Sequence, residues 1–306
     1  MSRRLIFVWF VVTALYPLSP AYGQFTDPHN YDNGPVGVNQ LEFAYGYAHS
    51  NASIDTSLTV IGAKFKLNEG SVTYTRYFGL VHRLFWVEAS VPIAGLSGGI
   101  SGTTIKGSTT GTGDSSYAVA TLLKGGPAIS ISQFDDYHPT TTVGLSLTIT
   151  APTGQYNSNK ILNLGSHRWA FKPEFAVSHP FGPAKKWQLD AYANAEFYTD
   201  NTAYRGVEIL RQEPLPGVEA HLSYSFSEKV WASADTRYCF RGDTVLNGED
   251  QDSSQQHFTI GTEVNVSLND KNSLVLEFAK AIVHQNSPIY KGFAVKYSYS
   301  WGRGYK

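Results

Sequence analysis

The sequence predicts an all-β protein: a transmembrane, antiparallel, up-and-down β-barrel of twelve strands, with fourteen as the alternative count. Three observations predict it. Apolar and polar residues alternate with a period of two along runs of about ten to thirteen residues, which places successive side chains on opposite faces of a strand. Only 16% of the 306 residues are charged, against about 25% in soluble domains, yet the mean hydropathy is −0.22, too polar for membrane helices. Aromatic residues make up 14% of the chain and gather at run ends, as amphipathic rings do at lipid–water interfaces. Disordered chains, by contrast, are poor in aromatics and rich in charge.

The first residues read as an export signal. Arg3 and Arg4 precede the apolar run Leu5 to Tyr16, and Ala21-Tyr22-Gly23 offers small residues for cleavage. Residues 1–23 hold two of the 24 basic residues and none of the 25 acids, so the remaining chain carries a net charge of −3. No other segment approaches the length of a transmembrane helix. Residues 24–37, with Pro28, Asn30, Asp32, Asn33, Gly34 and Pro35, form a short segment expected in the periplasm or inside the lumen. At most they plug part of it.

The barrel proper is expected over 38–301. Leu41, Phe43, Tyr45 and Tyr47 share one face, opposite Gln40, Glu42 and Ala44. The clearest run is 187–198. Trp187, Leu189, Ala191, Ala193, Ala195 and Phe197 alternate there with Gln188, Asp190, Tyr192, Asn194, Glu196 and Tyr198. Similar runs cover 143–150, 218–226 and 258–268. A soluble sandwich turns its apolar face inward, and a membrane barrel turns it outward. The runs are longer than the usual five or six residues of soluble sheets and suit tilted membrane strands. Charges on the polar faces would be costly in a dry core without partners but suit a wet lumen.

Strands are placed at 38–49, 57–67, 71–79, 84–92, 115–124, 140–151, 169–179, 186–198, 217–227, 229–240, 256–268, 272–282 and 291–301. Bacterial single-chain barrels have even numbers, so 57–67 is assigned to an extended first loop, leaving twelve. Splitting a strand instead would give fourteen. Short polar turns at 227–229 and 269–271 alternate with long loops at 93–114, 152–168, 199–216, 241–255 and 283–290. The Gly/Ser/Thr-rich stretch 93–114 is read as a flexible external loop. This parity makes 125–139 a long periplasmic connection. Phe293, Val295, Tyr297, Tyr299 and Trp301 resemble the C-terminal strand that outer-membrane assembly machinery reads, with 302–306 as an extension beyond it.

The central stretch Ala151-Pro-Thr-Gly-Gln-Tyr156, Leu162-Asn-Leu-Gly165 and His167-Arg-Trp-Ala-Phe-Lys-Pro-Glu174 carries a family resemblance. So do Gly113-Asp114, Asn201, Leu222-Ser-Tyr-Ser-Phe226, Trp231, Arg241-Gly242 and Asn247-Gly248. The chain resembles a family of outer-membrane transporters labelled as a MetA-pathway of phenol degradation, over roughly 38–301. That resemblance implies an outer-membrane barrel admitting small hydrophobic or aromatic compounds. It supplies no ligand-binding residues to carry over.

Two sets of candidate residues follow. The lumen or permeation path is assigned to Glu42, Glu88, Lys172, Glu174, Asp190, Tyr192, Glu196, Tyr198, Glu219, Asp235, Arg237 and Glu263, with Trp231 as a further aromatic surface. The loop motif comprises Pro152, Thr153, Gly154, Tyr156, Asn163, Gly165, Arg168 and Trp169. Pro and Gly there set turns. Either the loop gates the mouth, with Arg168 pairing to lumen carboxylates, or it is a compact external loop.

Other chemistries are poorly supported. His221-Leu-Ser223 faintly resembles the pair in lipid A deacylase barrels, but it should face the lumen and lacks an orienting third residue. The nine His show no HxH or HExxH spacing, and loop 93–114 lacks nucleotide fingerprints. Cys239 is the only cysteine, which removes intrachain disulfides. The expectation is therefore no cofactor, no catalytic or metal residues and no nucleic-acid partner. The expected partners are outer-membrane lipid, a small hydrophobic or aromatic solute and the assembly machinery. A passive channel is the first reading. A closed structural or surface-interaction barrel is the alternative, and a lipid-modifying hydrolase the third.

Overall fold

The computed structural model describes residues 26–50, 63–100, 103–104, 106–134, 136–160, 162–285 and 290–302. The expected signal peptide at 1–23 and most of the extension at 302–306 lie outside the described residues, as do 57–62. Twelve strands close on themselves: β1 (Val38–Ser50), β2 (Ala63–Leu80), β3 (Arg83–Ile100), β4 (Ser115–Lys124), β5 (Thr142–Ala151), β6 (Ala170–Phe181), β7 (Trp187–Tyr198), β8 (Leu215–Ser227), β9 (Val230–Arg241), β10 (Gln255–Asn269), β11 (Asn272–Gln285) and β12 (Tyr290–Gly302). Each pairs antiparallel with its chain neighbours. The ring closes between β1 and β12, in register from Val38 opposite Gly302 to Ser50 opposite Tyr290.

The strand number is the expected one, but its reason differs. Residues 63–67 are not loop. They continue 71–79 as one strand of 18 residues, paired along its whole length with β3. The stretch 93–114 is likewise not a flexible loop. Its first part extends β3, and Lys106–Thr112 folds back on it as a further strand. Phe65, Leu67, Ala94 and Leu96 are buried within this projecting blade, and that burial holds Gly- and Ser-rich segments in strand conformation. The loops after β7 and β9 also carry structure: 201–204, 208–212, 244–246 and 249–250 pair as a separate four-stranded sheet.

Burial is inverted relative to a soluble protein. Leu276, Tyr45 and Val218 are each 49% exposed, whereas Asp190 is 0% and Glu174 3% exposed. The apolar face therefore points out and the polar face in, as the alternation requires of a lipid-embedded barrel. Two aromatic belts bound the outward face. At the end of the short turns, Trp187 lies 4.7 Å from Tyr224, and Trp301 contacts Tyr299 and Tyr74 at 5.7 and 6.2 Å. At the opposite, long-loop end, Tyr47 faces Phe293 at 6.0 Å and Tyr238 stacks on Phe240 at 5.7 Å.

The connection 125–141 lies at the turn end, as parity demands, and its length has a purpose. Its backbone satisfies neighbours that the barrel leaves open: Leu84 N–H donates to Gly126 O at 3.0 Å, Ala128 N–H to His82 O at 3.2 Å, and Val36 N–H to Ile129 O at 2.8 Å. It thus braces the point where the N-terminal segment turns into the lumen. The first buried apolar cluster also forms inside the lumen, from Tyr31, Leu84, Trp86, Ala120, Leu122, Ala176 and Tyr192.

If the outward face lies in lipid, Leu276→Arg costs about 2–4 kcal/mol at mid-depth. Denaturant unfolding of the barrel in phospholipid vesicles measures this, and an unchanged stability would contradict the orientation.

Candidate functional site

Residues 26–37 lie inside the barrel as a strap that runs from its middle, at Thr26, to the turn end, at Val36 and Gly37. The strap replaces water as partner to the polar lumen. Thr26 N–H donates to Glu219 Oε2 at 2.7 Å and its hydroxyl to Glu174 Oε2 at 2.8 Å. Asn194 Nδ2 donates to both carboxylates, at 2.8 and 3.1 Å. Asp27 takes a 2.7 Å ion pair from Lys296, which also lies 3.1 Å from Glu277 and 3.8 Å from Glu263. One ammonium therefore serves three acids. Removing it would leave buried charge uncompensated, a loss of about 3–5 kcal/mol for such pairs.

Tyr31 anchors the strap. It is fully buried, its hydroxyl donates to Glu174 Oε1 at 2.9 Å and lies 2.7 Å from Ser146 Oγ, and Thr142 donates to its carbonyl at 2.7 Å. Its ring meets Tyr192 at 5.3 Å and Trp86 at 5.6 Å. Gly144 faces the lumen at this point, and any Cβ there would run into the Tyr31 ring. The glycine is the notch that admits the anchor. Burial beside Glu174 raises the Tyr31 phenol well above its ordinary range, so the hydroxyl stays protonated and remains a donor.

His29 forms a second attachment. Its Nδ1 lies 2.8 Å from Asp32 Oδ2 and its Nε2 2.8 Å from Ser223 Oγ, while its ring packs on Trp231 at 4.5 Å. Burial pulls this imidazole down, but the hydrogen bond and charge of Asp32, helped by Asp190, raise it net above its usual value. Serine, histidine and aspartate here have the connectivity of a hydrolytic triad. Ser223 is 1% exposed, and through these contacts the three residues join the strap to β8. His221, the other member of the sequence-noted pair, turns instead to Asp235, with Nδ1 2.9 Å from Oδ1.

Every sequence-assigned lumen residue faces inward. Arg237 lies 3.4 Å from Glu219 and donates to Cys239 Sγ at 2.9 Å. Lys172 sits 3.8 Å from Glu174. Glu42 accepts from Ser298 at 3.0 Å, Glu196 from Tyr198 at 2.9 Å, and Glu88 points toward Thr75. Asp190 accepts from Gln188 at 3.0 Å and from His29 N–H at 3.3 Å. What alternation missed were the strap residues and Lys296 with Glu277. The latter two sit on the polar faces of strands already recognised and were open to the same reading.

The loop motif folds as a knot rather than a swinging flap. Asp114 accepts Gly154 N–H at 2.8 Å, Ser166 N–H at 2.7 Å and the Ser166 hydroxyl at 2.5 Å. Thr153 binds Ser115, Asn163 Oδ1 accepts Asn157 N–H at 2.7 Å, and Tyr156 stacks on His167 at 4.9 Å. A Cβ on Gly154 would lie 2.6 Å from the Gly113 backbone, and one on Gly165 2.7 Å from Gly154. Both glycines are thus required by close backbone approach. Pro152 ends β5, and Trp169 N–H donates to Thr199 Oγ1 at 3.0 Å. Arg168 does not pair with a lumen carboxylate. Its Nη2 donates to Gln212 at 2.6 Å and its guanidinium lies over the Tyr198 ring at 4.2 Å. The nearby Glu196 is already engaged by Tyr198, and the loop sheet brings Gln212 within reach.

A model of the family described as "Putative MetA-pathway of phenol degradation" matches residues 26–299. No curated protein matches the chain. Among solved structures, the COG4313 outer membrane channel from Pseudomonas putida F1 is similar with a TM-score of 0.79 at 20% identity, over 90% of this chain and 100% of that one. The β domain of the Bordetella autotransporter BrkA gives 0.51 at 9% identity, covering 87% of this chain and 100% of that one. The transport unit of the autotransporter AIDA-I from Escherichia coli gives 0.50 at 8% identity, covering 91% and 94%. At these identities the likeness is one of fold.

Two outcomes follow from the geometry. Asp114→Ala strands two backbone donors and a hydroxyl, costing about 3 kcal/mol. Limited proteolysis should then cut within 152–169 while the barrel keeps its heat-modifiable gel mobility. Because the folded-state His29 pKa is raised, its contribution to stability is complete below the unfolded-state value of about 6.5 and is lost as pH rises through the folded value. The thermal midpoint of the native chain should therefore fall more between mildly acidic and alkaline pH than that of His29→Gln.

Proposed function

The chain belongs to the MetA-pathway of phenol degradation family, and from that premise we propose that it is an outer-membrane channel for passive passage of small hydrophobic or aromatic compounds. The observation that carries the proposal is the strapped lumen. A closed barrel, apolar outside and mainly polar inside, holds a short segment packed against one apolar cluster of its wall. The segment is retained by hydrogen bonds, ion pairs and one aromatic anchor. Around that anchor, Tyr31, Trp86, Tyr192 and Tyr77 form an aromatic cluster inside an otherwise polar tube, buried while the strap is in place. Once the strap is displaced, these rings offer an apolar solute stacking and edge contacts beside polar groups.

The lumen's charge narrows the solute class. Acids outnumber cations, and the main cations, Lys296, Arg237 and Lys172, are already committed to carboxylates. An anionic solute would meet like charge in a confined space of low dielectric, where repulsion is poorly screened. Neutral and cationic solutes are thus favoured over phenolates or carboxylates. A second reading, a closed barrel that conducts nothing, draws on the complete burial of Tyr31 across the turn-end half of the lumen.

Planar-bilayer recording separates the two. Under a KCl gradient, the native chain should give a reversal potential of cation-selective sign. Gly144→Val, which fills the Tyr31 notch, should raise conductance several-fold without changing that sign. Anion selectivity would overturn the solute class. Silence from both the native chain and the variant, each verified as folded by gel mobility, would favour the closed barrel.

A further inference from the structure

The outward face carries a feature that permeation does not use. On four adjacent strands at the loop end, the register aligns one row of basic side chains. Lys280 on β11 stands opposite Lys291 on β12, Lys291 opposite His49 on β1, and His49 opposite Lys66 on β2. Lys64 follows two residues further along β2 on the same face. Directly below this row, toward mid-membrane, runs an aromatic row of Phe278, Phe293 and Tyr47 in the same register. Below that again lie Leu276, Val295 and Tyr45.

Depth places the row at a headgroup boundary. Lys291 and the turn-end belt residue Trp301 are ten residues apart on β12. At ~3.3 Å per residue and a ~40° tilt this is about 25 Å along the membrane normal, the height of the apolar band of such barrels. The ammoniums of Lys66, Lys280 and Lys291 are exposed, and among the described residues none of the three pairs with a carboxylate. Like charges directly opposite each other on paired strands are destabilising, as with Lys280 and Lys291. An anion bridging them reverses the sign of that interaction. Neighbouring strands are about 4.8 Å apart, so the row spans about 15 Å, more than one monovalent group would cover.

We propose that the Lys66–Lys280–Lys291 row is a binding site for a lipid headgroup carrying more than one phosphate, in the leaflet at the loop end. The ammoniums and His49 engage the phosphates, and the aromatic row beneath packs against the first segments of the acyl chains. Clustered lysines at a membrane surface each add favourable attraction to anionic lipid, and the row lies on one side of the barrel only, so it holds lipid on the β11–β2 side. The solute pathway is not involved, and the proposal stands whether or not the barrel conducts.

Native mass spectrometry of the folded full-length chain in neutral micelles tests it, with diphosphoryl lipid A, monophosphoryl lipid A and phosphatidylcholine as probes. Diphosphoryl lipid A should be retained most and phosphatidylcholine least. The triple variant Lys66→Gln/Lys280→Gln/Lys291→Gln should bind lipid A at least about tenfold more weakly, and the corresponding triple arginine variant should bind as the native chain does. A turn-end control, Lys124→Gln/Lys185→Gln/Lys271→Gln, should leave binding unchanged. Equal retention of lipid A by the native and triple glutamine proteins overturns the site. Equal retention of phosphatidylcholine overturns the phosphate requirement, and displacement of lipid A by millimolar inorganic phosphate overturns the assignment to a lipid headgroup.

Discussion

The structure depends on a single constraint: in lipid, no backbone N–H or C=O can be left without a partner. A sheet meets it only by closing, and the β1–β12 pairing from Val38 to Ser50 is that closure. Closure makes the two faces of every strand into an outside and an inside, so the period of two becomes a radial sorting rule. Leu276 faces lipid because Glu277 faces the lumen, and neither choice is independent. The same rule explains a chain that averages to near-neutral hydropathy while containing both a greasy belt and a charged interior.

The lumen then poses its own problem. Acids lining a narrow tube repel one another and are costly to desolvate. The barrel answers with partners of three kinds: three cations from its own wall, amide and hydroxyl donors such as Asn194 and Ser298, and the strap. Lys296 and Asp27 show how closely these are joined, since the wall's ammonium and the strap's carboxylate complete each other's coordination. Tyr31 adds the aromatic contact for which Gly144 leaves room. The turn-end connection at 125–141 belongs to the same device, because it receives Val36 as the strap leaves the lumen. A long connection at the end where short turns are expected thereby acquires a physical reason.

Much of this was legible in the residues. The alternation placed Glu42, Glu174, Asp190, Glu219, Asp235, Arg237 and Glu263 on the inner face without reference to any contact. It could equally have placed Glu277 and Lys296, whose strands were recognised. The motif around Pro152 and Gly165 was recognisable as turn chemistry, but its hub, Asp114, lies 40 residues from Gly154 and 52 from Ser166. Arg168 was read as a partner for lumen acids because charge complementarity is the simplest rule. The loop sheet decided otherwise by bringing Gln212 to it. Residues 63–67 were read as loop because an even strand number required one fewer strand, and 93–112 because Gly, Ser and Thr dominate there. Only the pairing of three segments buries enough of Phe65, Leu67 and Leu96 to make them strand.

By itself, the sequence determined what depends on local periodicity: the all-β class, the outward and inward faces, the aromatic belts and the acidic cast of the interior. Side-chain direction along a strand follows from backbone geometry within two residues, so no distant information is needed. Tertiary structure alone decided where the segment before β1 goes, which acids share Lys296, which loops knot together, and that lysines from β2, β11 and β12 form one row. Those outcomes depend on strand register and ring closure. Tyr31 meets Ser146 and Glu174 across separations of 115 and 143 residues, and Lys66 comes into line with Lys291 only because the last strand pairs with the first.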